Sequence, residues 1–114
     1  MITIKEQGIM IYIIDHCKRI EEKVFKLDEQ DFCKSKDIQE IVCFNIFQIG
    51  ELAKKLTFEF LSKYNLMPWK DIKGMRDRVV HGYGTIKMEE VWKTAVRDIK
   101  PLREYCEKIL EENK

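Results

Sequence analysis

Apolar residues recur at three- and four-residue intervals along most of this chain, a spacing that predicts helices rather than strands. Met10, Ile13, Ile14, Cys17, Ile20 and Val24 make one stripe on a helix of about twenty residues. Lys18, Arg19, Glu21, Glu22 and Lys23 fill its other faces, and His16 reads as a surface or boundary residue. Leu27 to Phe32 reads as a capped short turn of helix with Asp28 as its N-cap, and Ser35 or Asp37 starts a second long helix. There Ile38, Val42, Asn45, Ile49, Leu52 and Leu56 repeat as a seam for packing on another helix. Phe44 and Phe47 lie off that seam, so this helix is expected to bury more than one face. It then needs partners on both sides, one of which can be a second copy of the chain.

Further along, Phe58 to Tyr64 predicts a short helix or turn, broken before Pro68, and Trp69 is expected to anchor the next helix in the core. That third helix should run from Trp69 to Val80 or His81. Ile72, Met75, Val79 and Val80 would face the core, leaving Arg76, Asp77 and Arg78 to face outward or toward a cleft. Gly82 suits the position just past a helix end, which puts His81 in the last turn, where carbonyl partial charges favour its protonated form. After a short connection from Thr85 to Met88, a last helix carries Val91, Ala95, Ile99, Leu102, Cys106 and Ile109 on one stripe. Pro101 inside it removes a backbone donor and should kink it. The expected fold is therefore all-α, a single domain over residues 1–114, with four main helices plus short helical turns.

Composition narrows this only a little. Charged residues at 36% beside 45% hydrophobic suit a well-solvated helical protein, and two prolines and five glycines give little punctuation for an all-β fold. A net charge of +1 lacks the basic balance of many nucleic-acid binders, so any RNA contact must come from a local patch. The apolar N-terminal run is broken by Lys5, Glu6 and Asp15, which argues against a signal peptide. No uncharged run reaches the roughly 18 residues of a membrane span, so a cytoplasmic protein is expected. Cys17, Cys33, Cys43 and Cys106 form no C-x-x-C pair and are expected as small buried hydrophobes, with no metal site and no cofactor.

Candidate chemistry is concentrated in Arg76-Asp77-Arg78-Val79-Val80-His81-Gly82-Tyr83. RNA can be cleaved without a metal if an imidazole takes the proton of a 2′-hydroxyl and a cation steadies the charge on phosphorus. Histidine and arginine supply those two functions. Residues five positions apart on one helix are separated by about 140° around its axis, so Arg76 and His81 do not share a stripe. A long arginine reaching round, a helix ending early at His81, or two copies of the segment facing one another would each resolve this. Asp77, four before His81, is on its face and can hold the imidazole tautomer or take a proton. On residue types alone the pattern is weak, and a structural reading of a surface arginine, a helix-end histidine and a packed tyrosine is favoured over it. Asn45, which interrupts the apolar seam, and Glu51 are each either structural or lining a site.

The wider pattern resembles the HepT-like branch of the HEPN superfamily. Pro68-Trp69, then KDIKGMRDRVVHGYGTI, FNIFQIGELAKKL in the second helix, and a C-terminal helix with an internal proline carry the resemblance from about Met10 to Ile109. It implies a compact HEPN-type helical bundle that forms a homodimer with both motif helices lining one cleft. It also implies a metal-independent endoribonuclease acting as the toxin of a two-gene toxin–antitoxin module. The implied partner is an MNT-type nucleotidyltransferase antitoxin that adds AMP to the motif tyrosine. Arg76 and His81 would then be catalytic, Asp77 an auxiliary polar residue, Tyr83 the adenylylation target, and Asn45, Glu51 and Arg78 residues beside the cleft. The competing expectation is a non-catalytic helical dimer that binds a nucleotidyltransferase or a nucleotide.

Overall fold

The computed structural model describes residues 1–82 and 87–114, the side chains of residues 78–82 excepted. Its described residues are helices and connections with no strand, as the apolar periodicity predicts. Helix α1 spans Ile4–Val24, α2 Glu29–Lys34, α3 Lys36–Ala53, α4 Phe58–Lys63 and α5 Trp69–Gly82. Helix α6 spans Met88–Lys93, a π-helical turn follows over Thr94–Asp98, and α7 spans Ile99–Glu112. Asp28 caps α2 by accepting from the Asp31 N–H, and Ser35 caps α3 by accepting from Ile38. Helix α1 packs against α3 and α7, and α3 packs in turn against α5.

Position along α3 explains how one helix serves two partners. Val42, Asn45 and Ile49 are buried, but so are Cys43, Ile46, Gly50 and Ala53 one residue further round. The second buried face is therefore made of small and aliphatic residues rather than the two phenylalanines. Phe44 is 58% exposed, and Phe47 is only half-buried, beneath a charged side chain described below. Small residues on that face let the neighbouring helix backbone come close, which a phenylalanine would prevent.

The start of α5 is fixed by aromatic packing. The Trp69 indole N–H donates to the Tyr64 carbonyl at 2.7 Å, and its ring lies 6.1 Å from Phe60 and 6.3 Å from Tyr105 between centroids. Buried indole N–H groups need such a partner, and this one ties α5 to the end of α4. The core-anchor role expected of Trp69 is what the structure shows. At its other end α5 is described through Gly82, which is itself helical rather than the first residue beyond the helix. An early end at His81 is thereby removed as an explanation of how Arg76 and His81 meet.

The C-terminal stripe is buried at Val91, Ala95, Ile99, Leu102, Cys106 and Ile109. Just before Pro101 the helix widens into the π-helical turn. Proline lacks an N–H and its ring crowds the carbonyl of Arg97 four residues back, and a widened turn relieves both. The same turn absorbs a spacing problem. Steps of four from Val91 to Ala95 to Ile99 drift by about 40° each on a regular α-helix, and a wider turn keeps all three on one face.

Cys17, Cys43 and Cys106 are buried and Cys33 is half-buried, all as free thiols. Burial pushes the Cys43 thiol up to about 11 and the Cys106 thiol up to about 12. They pack as apolar groups. Among the described residues no helix is long and apolar enough to cross a membrane.

One carboxylate joins the beginnings of two helices. Glu6 accepts from the Thr3 N–H at 2.9 Å and from the Thr57 hydroxyl at 3.0 Å, while Thr57 itself caps α4 by accepting from Phe60. The Glu6 carboxyl lies below its ordinary value, chiefly through the Thr3 backbone bond, with the threonine hydroxyls and Lys63 adding to it against burial. Its stabilisation is therefore complete above about pH 4.5 and lost as the pH falls through the folded-state value. Glu6→Gln should lower stability by about 1–2 kcal/mol at neutral pH and flatten this acid-side slope. Urea unfolding of both proteins at neutral and acid pH measures it, and parallel curves would show that Glu6 carries none of the dependence.

Candidate active site

The structure places Arg76 where α5 crosses α3. A Cβ built on Gly50 would collide with the Arg76 Cβ and lie 3.2 Å from its Cα, so the two backbones approach as closely as a glycine permits. That crossing sets everything around the guanidinium. Glu51, the next residue along α3, accepts from Arg76 Nε at 2.5 Å. Asp77 accepts from Nη1 at 2.9 Å. The guanidinium carbon lies 5.5 Å from the centroid of the Phe47 ring, a cation–π distance. Lys54 approaches from the next turn of α3, with Nζ 3.6 Å from Asp77 Oδ1 and 4.0 Å from Glu51 Oε1.

These contacts hold the charges in place. Asp77, and after it Glu51, raises the Arg76 value above the ordinary one, opposed by burial. Asp77 is drawn below the usual carboxylate range first by the Arg76 hydrogen bond and then by Lys54. An arginine with its side chain 20% exposed, placed over an aromatic ring and gripped at two of its nitrogens, has few rotamers left. Such a side chain presents a cation of fixed direction, which is what charge stabilisation on a transferring phosphate requires.

Of the residues expected at a site, Arg76, Asp77 and Glu51 come together here. Asn45 does not join them. It is buried, its amide N–H donates to the Ile41 carbonyl at 2.8 Å, and its oxygen faces His16 Nδ1 at 2.8 Å. With the amide oriented by Ile41, the oxygen must accept from Nδ1–H, which fixes the His16 tautomer across the α1–α3 contact. Asn45 and Glu51 are six residues apart on α3, about 120° around its axis, so they serve different sides of the helix. His81 lies in the last turn of α5, where its side chain and that of Arg78 are outside the described residues, as is Tyr83 altogether. Asp77 is engaged through Oδ1 with Arg76 and Lys54.

Gly50 and Lys54 were not singled out by sequence, and Phe47 only as an apolar residue off the α3 seam. Phe47 and Lys54 lie three residues to either side of the Gly50–Glu51 pair, a helical spacing that becomes meaningful only once α5 is known to cross at Gly50. Among the described residues no three histidines, cysteines, aspartates or glutamates are grouped as metal ligands.

Comparison with known proteins bears on what this arrangement does. Residues 13–109 match the Ribonuclease HepT-like family. The chain is 31% identical to a protein named as an RNase candidate from Caldanaerobacter subterraneus subsp. tengcongensis, over 90% of this chain and 92% of that one. It is 30% identical to the protein named Probable ribonuclease HepT from Thermococcus cleftensis, over 85% of this chain and 88% of that one. A Methanocaldococcus jannaschii protein, named a gamma-glutamylcyclotransferase and RNase candidate, is 38% identical over 89% of this chain and 46% of its own length. No solved structure matches the chain. With the match running from the middle of α1 nearly to the end of α7, the chain belongs to the HepT-like ribonuclease family.

Proposed function

We propose that the protein is a metal-independent endoribonuclease in which Arg76 steadies the phosphorane charge and His81 moves the 2′-hydroxyl proton. The observation that carries this reading is the fixed Arg76 cation on the helix that also bears His81, in a chain of the HepT-like family. The reaction needs one bond made and one broken. The 2′-oxygen attacks phosphorus as its proton passes to an imidazole, and the 5′-oxygen departs with a proton returned from an acid. Arg76 and His81, about 140° apart on an unbroken α5, serve one phosphate more readily if each comes from a different copy of the chain. A homodimer with the two motif helices facing each other is accordingly part of the proposal.

Purified protein in EDTA should cut total cellular RNA, and a wild-type protein that cuts only with added metal would sink the metal-independent reading. The proposal extends to a two-gene toxin–antitoxin module in which an MNT-type nucleotidyltransferase transfers AMP to Tyr83. The Tyr83 oxygen would attack the α-phosphorus of ATP and release pyrophosphate. That places a bulky anion near a site meant for phosphate and blocks RNA by repulsion. Co-expression with such an enzyme should add one AMP to the intact mass and silence cleavage, and Tyr83→Phe should remove both effects. An unchanged mass in the co-expressed wild type would overturn this part alone.

A further inference from the structure

Among the described side chains around Arg76 the charges balance. Arg76 and Lys54 stand against Glu51 and Asp77, so a phosphodiester arriving at Arg76 has to displace a carboxylate. The two carboxylates are not equivalent. Glu51 grips Nε at 2.5 Å from α3, and its side chain is 36% exposed. Asp77 takes Nη1 from the neighbouring position on α5, is 52% exposed, and already has a second cation 3.6 Å away in Lys54.

Resting on the reading of Arg76 as the phosphate-binding group, we propose that Lys54 is a positioning residue for RNA binding: it receives the Asp77 carboxylate when a substrate phosphate takes Arg76 Nη1. Glu51 and the Phe47 ring meanwhile hold the guanidinium in place by its Nε side. Asp77 is thus a competitor for Arg76 in the resting protein, and Lys54 sets how readily it leaves. No covalent step is involved; one charge-assisted hydrogen bond on Arg76 is exchanged for another, and the displaced carboxylate moves by about an ångström to a waiting ammonium. Without Lys54 the described group is left with one cation against two carboxylates, and Asp77 loses the ammonium that would receive it.

Two substitutions have opposite signs on this basis. Lys54→Met should weaken binding about tenfold at low salt, as expected for loss of a cation that compensates phosphate. Asp77→Asn should tighten binding, because a neutral amide competes poorly for Arg76 and leaves the group with a net positive charge. The decisive measurement is their combination. If Lys54 acts through Asp77, then Lys54→Met in an Asp77→Asn background should cost less than about threefold, and Lys54→Arg should bind like the wild type.

Fluorescence anisotropy with a short single-stranded DNA, which has no 2′-hydroxyl to attack, measures this on the full chain without any cleavage. Thermal midpoints confirm that each variant is folded. A Lys54→Met loss of equal size in both backgrounds would mean that Lys54 meets the nucleic acid directly, and weaker binding by Asp77→Asn would mean that Asp77 supports the ligand; either overturns the inference. No DNA binding by the wild type overturns both this inference and the phosphate role of Arg76. Normal binding with no RNA cleavage overturns the ribonuclease reading while leaving the Lys54 relay standing.

Discussion

His81→Ala should reduce RNA cleavage in EDTA by about 10²- to 10⁴-fold, the range that loss of a positioned acid–base group produces. The fold should survive, because alanine is the most favourable residue for the last turn of α5. Binding of uncleavable nucleic acid should be retained, which separates loss of chemistry from loss of affinity. Arg76→Ala is a different experiment, since it removes the phosphate cation and also leaves Glu51 and Asp77 facing each other without it. It should lose both cleavage and binding. Arg76→Lys should recover part of the binding but little of the rate, because an ammonium cannot engage Glu51 and a phosphate in one planar fork. Cleavage by His81→Ala at the wild-type rate would falsify the assignment of the proton transfer to this residue.

Gly50→Val should be the most damaging single substitution in the helical frame. Any Cβ at this position meets the Cβ and backbone of Arg76, so the obstruction cannot be relieved by moving the end of a flexible side chain. Helices α3 and α5 would have to separate, at a cost of about 3 kcal/mol or roughly 10 °C in Tm for a domain of this size. Gly74 offers the internal control. It too lies within a helix, but a Cβ there meets nothing within 4 Å, so Gly74→Ala should stabilise the protein by about 0.5–1 kcal/mol. Differential scanning calorimetry of the two variants makes the comparison. If Gly50→Val melted with the wild type, the close crossing would not be a requirement of the fold. Any residual cleavage in Gly50→Val should fall further than stability alone explains, because Glu51 and Phe47 no longer lie under the guanidinium.

How much of this was legible in the chain depended on whether a feature is local. The helices carrying Met10 to Val24, Ile38 to Leu52 and Trp69 to His81 follow from apolar spacing, since each buries a stripe that its own sequence defines, although α3 stops at Ala53 before the seam reaches Leu56. The caps at Asp28 and Ser35 are equally local. Which residues of α3 face α5 was not legible, because Phe44 and Phe47 look more core-like than Gly50 and Ala53 until a second helix backbone needs the space. The surroundings of Arg76 share that limit. Its nearest charged neighbours include Glu51, 25 positions away, and a spacing rule reaches only along one helix. Asp77 illustrates the converse. Helical geometry puts it on the face of His81, but no spacing rule shows that its Oδ1 also meets the arginine beside it and Lys54, both of which offer a full charge.

The widened turn at Thr94–Asp98 has a consequence for which insertions and deletions this fold can accept. A π-helical turn holds one residue more than the α-helical turn it replaces. Deleting one residue there would restore an ordinary helix and leave α6 and α7 in nearly the same relative rotation, because the widened turn already carries its surplus residue without advancing the phase. Deleting one from the regular turns of α7 would instead rotate the buried stripe of Leu102, Cys106 and Ile109 by about 100° against what precedes it. The surplus residue thus acts as slack in the register. These five residues can give one up, whereas the regular turns after them cannot.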